Sequence, residues 1–286
     1  MVLPWPVSRP VRAERLWQKA LAVSESARSG GHLVPLGTEL VPLAGIAPFR
    51  LRRLTGVAPK HLRPEGPKPN PFLPWEPPLE VERLASGHVL LLNKYPVQPA
   101  HLLVITEGWR PQSGWIAPSD WLAVATVSRD TGGLWFFNSS AAAGASQPHR
   151  HLQLLPRQAA EASCPLAERL EAQLEGLEAP WSWDYRLSRR LDPAGGGDLP
   201  ELYAQHCRQL SLGQSGADPA PRHPYNLLFD DRWFLTVRRV KEHCAGFSVN
   251  GLGFAGYLLC TELSDRDWLQ RHGPWRLLEA VAAPRR

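Results

Sequence analysis

The chain has little of what marks several large classes of protein. Only four of its 286 residues are cysteine (Cys164, Cys207, Cys244 and Cys260), and no two form a CxxC pair. A disulfide-stapled scaffold and a zinc ribbon are thereby excluded, and free thiols in a reducing cytosol are expected. No uninterrupted apolar run of about 18 residues occurs, so no membrane-spanning helix is expected. The opening "MVLPWPVSRPVRAERLW" lacks a basic start followed by an apolar core, so no secretory signal is expected either. There is no short-period repeat, which argues against a solenoid. The net charge of +5 suits an anionic ligand. The arginines are spread along the chain, however, and the aromatics are not interleaved with them in one segment, so nucleic acid is not the expected partner. A single Met set against 12 Trp and 29 Pro suggests a GC-rich genome and many rigid turns, not a function.

What is present reads as a soluble enzyme, with 43% hydrophobic and 21% charged residues. Apolar positions at helical spacing predict a helix over 11–28, stopped by Gly30 and Gly31. The Pro-rich stretch 58–78 predicts an irregular surface loop. Two β-type runs, 88–92 and 101–106, predict an antiparallel pair. A helix follows over 118–130 with Ser119 as its expected cap. "GLWFFN" (133–138) and "HLQLL" (151–155) predict strands joined by a small-residue loop. Residues 165–178 predict an amphipathic helix with Leu166, Leu170, Leu174 and Leu177 on one face. "WSWDYRL" predicts a strand and 199–212 a helix. Residues 213–224 predict a flexible connection, 225–239 a hairpin turning at "DDR", and 265–282 a last helix. Hairpins without regular βαβ units make the fold class α+β, an antiparallel sheet flanked by helices.

The segment "GASQPHRHLQLLP" (144–156) carries the chemistry. On a strand, side chains alternate faces, so His149, His151 and Gln153 share one face, next-nearest positions about 7 Å apart. Arg150, Leu152 and Leu154 share the other and anchor the strand. Before them, Gly144, Ala145, Ser146 and Gln147 form a loop whose small side chains let main-chain N–H groups approach an anion. Pro148 restricts the entry to the strand. Neutral imidazole is a good nucleophile near pH 7, and its phosphoramidate passes the group onward. Gln153 cannot exchange protons at neutral pH and is expected to position a phosphate oxygen or the imidazole. A metal site would want a third His or a carboxylate downstream, and Gln153 holds that position.

These residues resemble the HxHxQ signature of the diadenosine tetraphosphate phosphorylases (ATP adenylyltransferases), a branch of the histidine-triad superfamily. Similar segments are "NPFLPWEPPLEV" (70–81), "LLLNKYPVQPAHLLVIT" (90–106), "FFNSSAAAGASQPHRHLQLLP" (136–156) and "VNGLGFAGYLL" (249–259), so the resemblance runs from about residue 50 to 260. It implies a HIT-like fold with additional C-terminal elements: a nucleotidyltransferase core within 1–160, and a part over 161–286 packed on that same core. It implies phosphorolysis of diadenosine tetraphosphate to ATP and ADP, reversible, through an AMP–histidine intermediate. His151 would then be the nucleophile, His149 would assist by hydrogen bonding, and Gln153 would replace a third histidine. Asn138 would hold ribose or phosphate; Gly144, Ala145, Ser146 and Gln147 would cradle phosphates. Asn93 and Lys94 would line the nucleotide site and Lys60 would contact the polyphosphate. Asn226 and Arg238 or Lys241 would meet the distal nucleotide, although Phe229 and Asp230 depart from the small hydroxyl residue common in relatives there. No built-in metal or cofactor is expected, only Mg²⁺ accompanying the polyphosphate. A cytoplasmic monomer or small oligomer taking small-molecule nucleotides is expected. The alternatives are a sugar-1-phosphate nucleotidyltransferase and a non-catalytic sensor of dinucleoside polyphosphates.

Overall fold

Runs such as "HVLLL", "LLVIT" and "GLWFF" have no polar alternation, which requires strands covered on both faces. The computed structural model, which describes residues 11–55, 70–156 and 164–285, places them at the centre of an eight-stranded sheet. In chain order the elements are α1 (Arg15–Ser29), β1 (Thr38–Leu40), β2 (Arg50–Leu54), β3 (Glu80–Leu84), β4 (His88–Leu92), β5 (Leu102–Thr106) and α2 (Pro118–Asp130). There follow β6 (Gly133–Asn138), β7 (His151–Pro156), α3 (Ala167–Leu174), β8 (Tyr185–Arg189), α4 (Leu199–Gln209), β9 (Tyr225–Phe229) and β10 (Trp233–Arg238). The chain closes with β11 (His243–Cys244), β12 (Phe247–Ser248), α5 (Gly251–Phe254), β13 (Tyr257–Cys260) and α6 (Arg266–Val281).

The large sheet has the order β3-β4-β5-β7-β6-β9-β10-β8, every neighbour antiparallel. It crosses the boundary expected near residue 160, because β6 pairs with β9. On one face Leu16 and Ala20 of α1, Trp121 and Val124 of α2 and Leu202 of α4 pack with Leu90, Leu102, Trp135 and Leu152. On the other, α3, α5, α6 and the small sheet β1-β2-β13 cover Leu134, Phe136, Leu228 and Leu235. Phe72 and Trp75 cover Leu91, Leu103 and Ile105 farther along that face. His151 and Gln153 emerge on this second face, beside the Phe136 and Leu103 positions. No helix among the described residues is long and apolar enough to cross a membrane.

The α+β class and the antiparallel pairing agree with the sequence pattern, and four local expectations are corrected. Ser119 does not cap α2: Ala117 does, Pro118 occupies the first turn, and the Asp120 carboxylate accepts the Ala117 N–H at 2.7 Å. The helix predicted over 165–178 ends at Leu174, because Gly176 adopts φ 73° and the Leu177 N–H turns back to the Ala172 carbonyl. Leu177 is left exposed. The expected flexible connection over 213–224 is fastened around Asp218, which accepts from the Gln214 N–H and from Arg222, while the Trp115 indole donates to its carbonyl. The last helix is broken at Gly273–Pro274, where φ of 78° interrupts the turn. Of the Pro-rich loop, 58–69 lie outside the described residues; Pro77–Leu79 is a short 3-10 turn.

Candidate active site

β7 begins at His151, and its neighbour His149 makes only an isolated bridge to Pro111. The His151 ring is turned by its own strand: Nδ1 lies 2.7 Å from the His149 main-chain oxygen and must donate to it. The proton is therefore on Nδ1, and Nε2 keeps its lone pair. Burial pushes the His151 pKa down to about 4, so the ring is neutral at physiological pH. Phe72 tilts against it with ring centroids 5.5 Å apart. A neutral, desolvated imidazole with a fixed tautomer is what nucleophilic attack on phosphorus needs.

His149 is placed differently from the expectation. Its hydrogen bond to His151 comes from the main-chain carbonyl, because its imidazole is committed elsewhere. Nε2 lies 2.9 Å from both the Thr106 carbonyl and Thr106 Oγ1. The Thr106 hydroxyl donates to the Gly108 carbonyl, so toward His149 it can only accept. Nδ1 accepts from the Asn70 amide at 3.1 Å, and Asn70 is oriented by its oxygen accepting the Phe72 N–H. The His149 ring is fully buried, its pKa lowered by burial, and it braces the strand entrance.

A third histidine stands on this face. Asn93 accepts the Tyr95 N–H with its oxygen and so turns its amide to His101 Nδ1, 3.0 Å away. His101 Nδ1 is then the acceptor and Nε2 carries the proton. Gln153 lies beside the ring and favours its protonation; burial dominates and pushes the pKa down to about 4. Asn93 thus reaches the site through His101. Lys94 is ion-paired with Glu76, whose pKa it lowers.

The small-residue loop is set by Gly144, which adopts φ 84° and leaves no room for a Cβ, since Asn250 Cβ would be 2.6 Å away. The Gly144 and Ala145 N–H groups are used inside the loop, donating to the carbonyls of Ala141 and Ser140. Among the described residues the main-chain N–H groups of Ser146 and Gln147 have no acceptor, so of the four loop residues these two keep a main-chain donor free. Asn138 does not project into it: its oxygen accepts from Asn226 (2.8 Å) and from the Gly251 N–H (2.9 Å), and its amide faces the Gly144 carbonyl. Asn226 likewise donates to Asn138 and the Ala143 carbonyl and accepts from Arg239. Both asparagines are buried and fasten the loop from behind. Arg238 turns to Asp184 and His223, and Lys241 is exposed; neither shares a partner with the histidines. Lys60 lies outside the described residues.

Sequence reasoning missed Arg239, Gln112, His101, Asn70 and Thr106. The buried Arg239 guanidinium donates to the carbonyls of Val281, Ala143, Lys241 and Val249 and to Asn226. All five N–H donors therefore meet neutral oxygens, and burial pushes its pKa down to about 9. The Gln112 amide bonds both main-chain groups of His151. His101 and Asn70 lay within the segments quoted for the resemblance; Gln112 and Arg239 carry no local signal. Among the described residues no three His, Cys, Asp or Glu side chains gather to hold a metal.

Two family profiles match the chain: the Ap4A phosphorylase N-terminal domain over residues 7–172, and the ATP adenylyltransferase C-terminal domain over residues 179–284. Protein APA1 of Saccharomyces cerevisiae is 27% identical over 199 residues, 61% of each chain. Diadenosine 5',5'''-P1,P4-tetraphosphate phosphorylase 2 of the same yeast is 26% identical over 211 residues, 63% of each. The matched part therefore spans somewhat less than two thirds of these curated relatives. The crystal structure of yeast Ap4A phosphorylase Apa2 superposes with a TM-score of 0.73 at 21% identity, over 96% of this chain and 99% of that one. Its complex with AMP superposes with a TM-score of 0.74 at 21% identity over the same shares. These likenesses establish the shared fold.

Proposed function

Because the chain belongs to the Ap4A phosphorylase and ATP adenylyltransferase family, we propose that it phosphorolyses diadenosine tetraphosphate to ATP and ADP through an AMP–His151 intermediate. The observation that carries the reading is the His151 ring itself: Nδ1–H held by the His149 carbonyl, Nε2 with its lone pair, the whole buried among aromatic and apolar groups. Nε2 attacks the α-phosphorus of the dinucleotide. The N–P bond forms, the bridging P–O bond breaks, and ATP leaves with that oxygen's electron pair. The His151 ring, bonded to phosphorus through Nε2 and still protonated on Nδ1, carries a positive charge shared by both nitrogens, and the Nδ1–H bond to the His149 carbonyl strengthens as that charge develops. A phosphate oxygen then attacks the same phosphorus, the N–P bond breaks, ADP leaves, and the lone pair returns to Nε2.

The other residues act around that step. Gln153, on the same face as His151, would donate from its NH₂ to a phosphate oxygen. The free N–H groups of Ser146 and Gln147 supply two further donors to the equatorial oxygens. Lys94 can exchange its partner Glu76 for a polyphosphate oxygen, and Lys60 would serve the same chain of phosphates. Mg²⁺ would enter as the counter-ion of the polyphosphate. A reducing cytosol, where nucleotides and the four free thiols coexist, is the proposed compartment. The sugar-1-phosphate and sensor alternatives are not favoured by the family to which the chain belongs.

The test is product analysis. Wild-type protein with diadenosine tetraphosphate and phosphate yields ATP and ADP, and His151→Ala loses on the order of a thousandfold or more in rate. Release of AMP and ATP by water instead, or undiminished turnover in His151→Ala, refutes the reading.

A further inference from the structure

β6 and β7 pair in a regular antiparallel register that ends at Phe136 with Gln153. Two residues farther, that register sets Asn138 opposite His151. At this point β6 continues with β9, where Asn138 pairs with Asn226. The gap between Asn138 and His151 is filled by a side chain from a distant loop. Gln112 Nε2 donates to the Asn138 carbonyl at 2.8 Å and to the His151 carbonyl at 3.1 Å, and Gln112 Oε1 accepts the His151 N–H at 2.8 Å. A primary amide carries the same donor and acceptor as a peptide, so one side chain supplies what a neighbouring strand would.

The loop that bears it is itself anchored. The Gln112 N–H donates to the Pro148 carbonyl at 2.7 Å, the Arg150 N–H donates to the Arg110 carbonyl at 2.8 Å, and the Arg150 guanidinium donates to the Pro111 carbonyl at 2.9 Å. Gln112 is 2% exposed, so water does not compete for these bonds. On its far side, β7 remains paired with β5 through Ile105 and His151. The two central strands can therefore part beside the small-residue loop while β7 stays held at His151, by Gln112 on one edge and by its register with β5 on the other.

We propose that Gln112 is a positioning residue: its side-chain amide stands in for the absent β6 partner of His151 and sets the imidazole against the reacting phosphorus. The proposal rests on His151 being the nucleophile. It acts on rate, because the ring's placement matters at the moment of attack, and little on nucleotide affinity, because Gln112 makes no contact with the cradle N–H groups.

The experiment is quenched-flow adenylylation of the full chain with diadenosine tetraphosphate labelled at its α-phosphates, without added phosphate. Gln112→Ala is expected to slow label transfer at saturation at least about tenfold, with half-saturation changed by less than about threefold. Gln112→Glu keeps the shape but, ionised, cannot donate to either carbonyl. Its rate relative to wild type is expected to rise as pH falls from about 8 to about 5.5, because the buried introduced carboxyl takes up a proton and donates again. A wild-type rate in both variants, or a Gln112→Glu ratio that does not change with pH, overturns the proposal; should Gln112→Ala fail to fold, that ratio decides alone. If the wild type itself takes no label, the nucleophile assignment has failed, and exchange of the His151 amide hydrogen then tests the role of Gln112 separately: slow in wild type and faster in Gln112→Met, which keeps the length but removes the acceptor of that N–H, supports it, and equal rates refute it.

Discussion

His151 and His149 are two residues apart on one face, and the same motif letters conceal opposite conditions. The His149 ring has a partner on each nitrogen, whereas His151 has one on Nδ1 and leaves Nε2 its lone pair. Burial makes the difference functional. With its pKa pushed down to about 4, His151 stays unprotonated well below neutrality, whereas an ordinary imidazole near 6.5 would be largely inactivated by pH 5.5. The adenylylation rate is therefore expected to remain flat from about pH 8 down to about pH 5 and to fall only below that. Single-turnover label transfer across that range checks it; a decline centred near 6.5 would show that the ring is solvated instead. The same distinction applies to Asn138 and Asn226. Polar residues at strand ends resemble ligands in a sequence, yet each finds its partners within the protein.

At the scale of elements, the strand that carries the motif is tied to a helix on the opposite face of the sheet. Asp120 sits in the first turn of α2, and its carboxylate accepts from the Ala117 N–H, from Arg150 at 2.7 Å and from His88 Nε2 at 2.8 Å. Burial works against its ionisation, and His88, Arg150 and the N–H bond more than offset this, holding its pKa below the ordinary value. Arg150 is the residue between His149 and His151, so this ion pair locks the strand's facing. Asp120→Asn leaves the Arg150 guanidinium buried without its counter-charge, and a loss of about 3–5 kcal/mol is expected. Denaturant unfolding checks it, and a loss below about 1 kcal/mol would mean that the pair is dispensable. The residue that matters is one position beyond the expected cap, Ser119. Its type suited capping, but the direction of the side chain relative to a distant arginine was not a local property.

Across the whole molecule, burial of neutral histidines links folding to pH. His101 and His151 are pushed down to about 4 and His206 to about 3, burial being the leading cause each time. The unfolded chain takes up these protons near pH 6.5 and the folded one does not until well below it, so their contribution to stability is fully present above about 6.5 and is lost as pH falls toward 4. Each histidine contributes a slope of up to about 1.4 kcal/mol per pH unit in that window. His206, held between Ser188 and Thr236 away from the site, isolates the effect. His206→Gln is expected to flatten the dependence of unfolding free energy on pH by up to one proton; an unchanged slope would contradict the linkage. The sequence by itself determined the long central strands and the main helices, the antiparallel class and the HxHxQ face, because these rest on spacing within a few residues, such as side-chain alternation and apolar runs. The short strands β1 to β3 and β11 to β13 and the helix α5 carry too little local pattern and were not read from it. Tertiary structure alone decided which polar groups remain available for chemistry. Gln112 lies 39 residues from His151 and Arg239 lies 96 from the Ala143 carbonyl that it holds. Hydrogen-bond satisfaction in a buried interior is a property of whichever groups the fold brings together, and it leaves no period in the chain to be read.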